Sequence, residues 1–155
     1  MNEQGNDTTH KQDSKRPPFI LRLTLPLPPS INEQYATVDG HRVSTVVARR
    51  FKQQVRDIIR TLERQGILSD ELRTAFQQNY LALFLDFYFT SPLKRDLDGG
   101  LKITQDSLCT ALGINDNRVV DIHLSKHIDP LHPHLYVEIE AVSDWQFDQE
   151  YVVLP

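Results

Sequence analysis

A single cysteine among 155 residues, Cys109, leaves no internal disulfide to be made, which fits a reducing cytoplasm. No apolar run approaches the ~20 residues that a membrane span needs, so an integral membrane protein is not expected. The N-terminal stretch MNEQGNDTTHKQDSKRPP has no apolar core of the kind a secretory signal carries, and secretion is not expected either. No internal repeat and no composition break marks a second domain. Nor is there an excess of positive charge: 17 Lys and Arg stand against 21 Asp and Glu, a net charge of −4. Taken alone, that balance argues against a nucleic-acid partner, because phosphate binding wants positive charge.

The position of the charges matters more than their sum. Residues 1–18 are polar and read as a disordered N-terminal arm. Residues 143–155 form an acidic C-terminal tail with Asp144, Asp148 and Glu150 and no base, in which Trp145, Phe147 and Tyr151 have no evident core partner. Between them, residues 19–142 are close to neutral but polarised. Over 42–60 six bases meet one acid, and over 96–121 five acids meet two bases.

The hydrophobic pattern predicts an α+β single domain, a mixed β-sheet packed by two main helices. Strands are expected at 19–25, 80–89, 118–126 and 135–142, the second of them buried on both faces. Asp39-Gly40 between 35–38 and 41–43 signals a hairpin. Ser44 or Thr45 can cap a helix carrying Val47, Phe51, Val55, Ile58 and Leu62 to about residue 65, and Gly66 can stop it. A shorter helix is expected over 69–78 and a second main one over 99–112, ended by Gly113.

Asp96-Leu-Asp98 is the first feature with chemistry in it. In extended backbone the two carboxylates share a face, and hard oxygen donors suit Mg²⁺ or Mn²⁺. Asp116, in the loop after the second helix, can supply a third. Lys102 falls four residues after Asp98 and would return over it if a helix began there. The same residues admit a plain alternative, with Asp98 as an N-cap and Lys102 as its helical ion pair.

The run Asp96-Leu-Asp98-Gly-Gly-Leu-Lys102-Ile-Thr-Gln-Asp106-Ser-Leu, followed by Gly113-Ile-Asn-Asp116-Asn-Arg-Val-Val-Asp121-Ile-His-Leu-Ser-Lys126, resembles the signature of the RusA family. These are small homodimeric Holliday-junction resolvases (crossover junction endodeoxyribonucleases), common in prophages. Leu23-Thr-Leu-Pro-Leu-Pro-Pro-Ser-Ile-Asn32 with Tyr35 is similar to that family's opening strand and proline turn, so the likeness covers about 19–142. It implies a RusA-like fold and Mg²⁺-dependent hydrolysis of branched DNA, four-way junctions above all, by a homodimer. Asp96, Asp98 and Asp116 would be the metal-binding catalytic carboxylates and Lys102 the base beside the scissile phosphate, with Asp106 and Asp121 in supporting places. Gly99-Gly100 departs from the Asn-Leu usual there, and two glycines would loosen a helix start by about 1 kcal/mol each against alanine.

DNA contact is expected from Arg49, Lys52, Arg56 and Arg60, which recur at three- and four-residue steps beside the apolar stripe of the first helix. Lys94, Arg95 and Lys126 are further candidates. The alternative from another class is a non-catalytic junction-binding protein with a weakened metal site. His123, His127, His132 and His134 match no zinc spacing and read as surface loop histidines.

Overall fold

Residues 80–89 are apolar at nearly every position and lie inside a sheet, with a strand on either side. The computed structural model describes residues 19–93 and 95–143. In it β4 (Tyr80–Phe89) lies inside a mixed sheet, with β5 (Val119–Ile128) parallel on one side and β6 (His134–Val142) antiparallel on the other. β1 (Ile20–Leu25) pairs antiparallel with β6, giving the order β1-β6-β4-β5. A parallel neighbour needs a crossover, and α4 (Leu101–Leu112) supplies it.

One face of this sheet holds the core. Leu21, Leu23 and Leu25, then Leu81, Leu83, Leu85 and Phe87, then Leu135, Val137 and Ile139 alternate inward and are buried. Phe51, Val55 and Ile59 of α2 (Val46–Arg64), Phe76 of α3 (Asp70–Gln78), and Leu108 and Leu112 of α4 join the same cluster. Truncating one such phenylalanine to alanine costs about 3–5 kcal/mol in typical cores. The other face carries Phe84, Asp86, Tyr88, Tyr136 and Glu138 and is only half-buried. The expectation that β4 is buried on both faces therefore holds for one face alone. Its large apolar residues at the even positions find strand neighbours, not a second layer of helices.

Local signals explain the boundaries. Thr45 caps α2 by accepting from Ala48 N–H (3.2 Å), and Ser69 caps α3 from Leu72 N–H (3.1 Å). β2 (Tyr35–Val38) and β3 (His41–Ser44) form a separate two-stranded ribbon, turned by Asp39 and Gly40 at φ 51° and 77°, as a type I′ turn requires. Two single turns have no periodic signal and were not expected, α1 (Ile31–Gln34) after the prolines and a 3₁₀ turn (Asp116–Arg118) before β5. The N-terminal arm, the tail from 144 onward and Lys94 lie outside the described residues. Among the described residues no helix is long and apolar enough to cross a membrane.

Candidate active site

The site is arranged around α4, and its entry loop is fastened from several directions. The prolines that end β1 turn the chain so that Pro28 lies on Gly100; a Cβ at residue 100 would stand 2.4 Å from Pro28 Cγ. Gln34, buried at the end of α1, donates its amide to Pro29 O (3.0 Å) and Gly99 O (3.1 Å). A buried amide leaves its partners costly to abandon, so this side chain ties the Asp96–Gly100 loop to the proline turn. The glycine pair is thus not simply a loosened helix start: Gly100 is the residue that lets the two loops close on each other.

Lys126 works on the same loop. Its ammonium donates to Pro92 O (2.9 Å) and Arg95 O (2.8 Å), and it stands 5.6 Å from the Phe89 ring centroid. The Arg95 guanidinium lies 5.4 Å from the same centroid; burial pulls its pKa below the ordinary value, and the charge of Glu33 opposes that pull. The positive charge of Lys126 is therefore engaged in holding the loop, whereas Arg95, whose buried Nε has no hydrogen-bond partner among the described residues, lines the cleft beside Asp96.

Asp96 and Asp98 are exposed on this fastened loop, and Asp96 lines a cleft with Ser30, Asn32, Glu33 and Arg95. The helix starts later than the spacing suggests. Its N-cap is Gly100, so Asp98 does not cap it, and Lys102 does not turn back over Asp98. Lys102 instead reaches forward one turn to Asp106 (3.2 Å). The hydrogen bond and the charge of Asp106 raise the Lys102 ammonium above its ordinary pKa, and the charge of Asp116 adds to it. The side chain is 78% exposed and fully cationic at neutral pH.

Asp116 lies beyond the other end of α4. Gly113 ends the helix in the left-handed region at φ 69°, Asn115 caps the next turn through Asn117 N–H (3.1 Å), and Asp116 opens that single 3₁₀ turn, exposed. Twelve residues of helix at 1.5 Å each put about 18 Å between the two ends. Among the described residues no group of three or more His, Cys, Asp or Glu side chains stands ready to hold a metal ion. The carboxylates are the right donors for Mg²⁺, but one chain does not gather all three of them.

The basic stripe is where the sequence put it. Arg49, Lys52, Arg56 and Arg60 are exposed on α2, beside its buried Phe51, Val55 and Ile59. Lys52 and Arg56 form one wall of a groove whose other wall is Asp106, Ser107, Thr110 and Ala111 of α4. Asp106 and Thr110 also line the adjoining groove that holds Asp116. The two grooves share Asp106 and Thr110 on their walls, and Lys102 is the ion-pair partner of that Asp106.

No protein-family model matches this chain, and no curated protein matches it either. The histidines are placed differently from the expectation of surface loops. His123 and His127 are on β5 and His134 opens β6, all on the open sheet face; His132 alone lies in the connection. His123 stacks on Phe84 (4.7 Å) and bonds Asp121 (3.0 Å), while Tyr88 is stacked between His127 (4.6 Å) and His134 (4.3 Å). Asp121 thus serves a histidine on that face and not the site around α4. Gln34, which fastens the site, was missed because one polar residue after a proline run has no periodic context to mark it.

Proposed function

We infer that this chain is a structure-specific endodeoxyribonuclease that cuts branched DNA, four-way junctions in particular, by Mg²⁺- or Mn²⁺-dependent phosphodiester hydrolysis. The observation that carries the reading is the pair of adjoining grooves on α4: a phosphate backbone laid along Lys52 and Arg56 would pass Asp106, the partner of Lys102, on the way to Asp116. Lys102 is cationic and exposed where negative charge would build on a phosphoryl group. A divalent cation among the carboxylates would supply a nucleophilic water at neutral pH.

The separation of Asp96 and Asp98 from Asp116 bears on the partner. If the two-fold axis of a homodimer crosses α4 at right angles, α4 of one protomer would lie antiparallel to α4 of the other, and the Asp98 end of each would meet the Asp116 end of its mate. A homodimer of that kind completes two sites, which suits a junction whose two opposed strands are cut as a pair. The lone thiol is at home in a reducing cytoplasm, where such an enzyme would work.

Mixing two inactive variants tests this. Asp98→Asn and Asp116→Asn should each lower junction cleavage by at least a hundredfold, the order of effect of losing one transition-state group. Co-refolded together, they should recover nicking of one strand per complex, because one composite site in each mixed dimer is intact. Cleavage at wild-type rate by Asp98→Asn alone would reject the enzyme reading. Loss in both with no recovery on mixing would reject the shared site. Junction binding without any cleavage across Mg²⁺ and Mn²⁺ would favour the non-catalytic alternative, which the ungathered carboxylates of a single chain already suit.

A further inference from the structure

The β2–β3 ribbon is an element to which neither fold nor catalysis gives a task. A two-stranded hairpin is marginally stable by itself. This one has no core beneath it: every side chain from 35 to 43 is exposed, Val38 at 53% and Tyr35 at 42%. It is tied at its base, where Thr45 N–H donates to Gln34 O (3.0 Å), Thr45 Oγ1 to Glu33 O (2.6 Å) and the Arg49 guanidinium to Ser44 O (2.5 Å). A fold that spends an Asp39-Gly40 type I′ turn on so exposed a ribbon presents it to something.

The register divides the ribbon into two faces. Ala36, Val38 and Val43 with His41 share one. Tyr35, Thr37, Arg42 and Ser44 share the other, and there the Arg42 guanidinium sits 3.9 Å over the Tyr35 ring. Held in that way, the guanidinium loses less freedom on meeting a phosphate than a loose side chain would. The ribbon starts at Tyr35, next to Gln34, whose amide holds the Gly99 carbonyl, so it springs from the loop that carries Asp96 and Asp98. Arg49 and Arg50 follow at the start of α2 and extend the positive charge from its base.

Resting on the DNA reading above, we propose that the ribbon is a second DNA-gripping element, with Arg42 on its Tyr35 support as a phosphate anchor on the duplex arm that leads to Lys102. Two strands about 4.8 Å apart are slim enough for a B-DNA major groove about 12 Å wide. Arg42 touches DNA and no reacting atom, so its loss should act on binding before it acts on cleavage.

The test is titration of the full chain with a synthetic immobile four-way junction, with Ca²⁺ in place of Mg²⁺, from about 50 to 200 mM salt. Arg42→Ala should weaken binding about tenfold and reduce the salt slope by about one. Tyr35→Ala should weaken it in the same direction, Tyr35→Phe should match wild type, and Arg22→Ala on the far sheet face should change nothing. Wild-type affinity and slope in Arg42→Ala would overturn the ribbon proposal and leave the DNA reading standing. A change in dimer sedimentation with an unchanged salt slope would overturn it too, marking the ribbon as a contact between copies. Failure of the unaltered chain to bind the junction would sink the DNA reading, and this one with it.

Discussion

The two ends of α4 carry the same chemical group on very different footing. At the N-terminal end Asp96 and Asp98 stand on a loop pressed against Pro28, tied to the proline turn by buried Gln34 and braced by Lys126. At the C-terminal end Asp116 stands on one 3₁₀ turn, and the nearby anchors are Arg73 on Leu112 O (2.8 Å) and Arg118 on Asn79 O (3.0 Å), both part-buried. A ligand needs fixed donors, and the loop with more anchors holds its carboxylates with less freedom. In the proposed site the Asp96–Asp98 end would set the geometry, and the Asp116 end would adjust to what approaches it.

Both ends owe their shape to a glycine, and alanine at each separates the two causes. Gly100→Ala brings a methyl group against the Pro28 ring and should cost about 1–3 kcal/mol in urea unfolding, with junction cleavage falling alongside as the carboxylate loop is pushed away. Pro28→Ala removes the closest atom, so the two changes together should cost measurably less than their sum, by ~0.5 kcal/mol or more. Gly113→Ala meets nothing within 4 Å but keeps a left-handed φ of 69°, so about 1 kcal/mol is expected, additive with Pro28→Ala. Equal coupling at both positions would erase the distinction.

A smaller change tests the buried tie directly. Gln34→Leu keeps the volume but leaves Pro29 O and Gly99 O without their donor, at a cost of about 1–2 kcal/mol. The distinctive consequence is local: amide exchange should quicken over 96–100 and stay unchanged over 114–118. Uniform quickening at both ends would mean that Gln34 supports the fold as a whole and not the loop.

Most of the architecture was legible because it is local. The alternation in 19–25 and 135–142, the stripe Phe51–Val55–Ile59, the Asp39-Gly40 turn and the Gly113 stop each act over a few residues, and each element formed there. What sequence could not give depends on residues far apart. The partner of Lys102 was misread because the helix start is set by Gly100 under Pro28, 72 positions earlier in the chain, and not by Asp98. The open face was misread because Phe84 and Tyr88 look like core residues until His123, His127 and His134 are seen to cover them. For the candidate site, the basic stripe and the individual acids were readable. The length of α4 that divides the acids follows only from where the helix begins and ends.

The gentlest probe of the two ends is Cys109, buried on α4. Burial first, then the charges of Asp116 and Asp106, push its thiol from 9.0 to about 11. The folded pKa is raised, so the thiol's contribution to stability is full below pH 9.0 and is lost as pH climbs through about 11. At pH 8 the native thiol should react with iodoacetamide far more slowly than the unfolded chain, since little thiolate is present. Asp116→Asn removes one of the raising charges and should move the alkylation midpoint down. Asp98→Asn, at the other end of the helix and absent from the groups acting on Cys109, should leave the midpoint where it is. A shift of equal size in both variants would mean that the two carboxylates share one electrostatic environment within a single chain. The case for a site completed by a second protomer would then lose its footing.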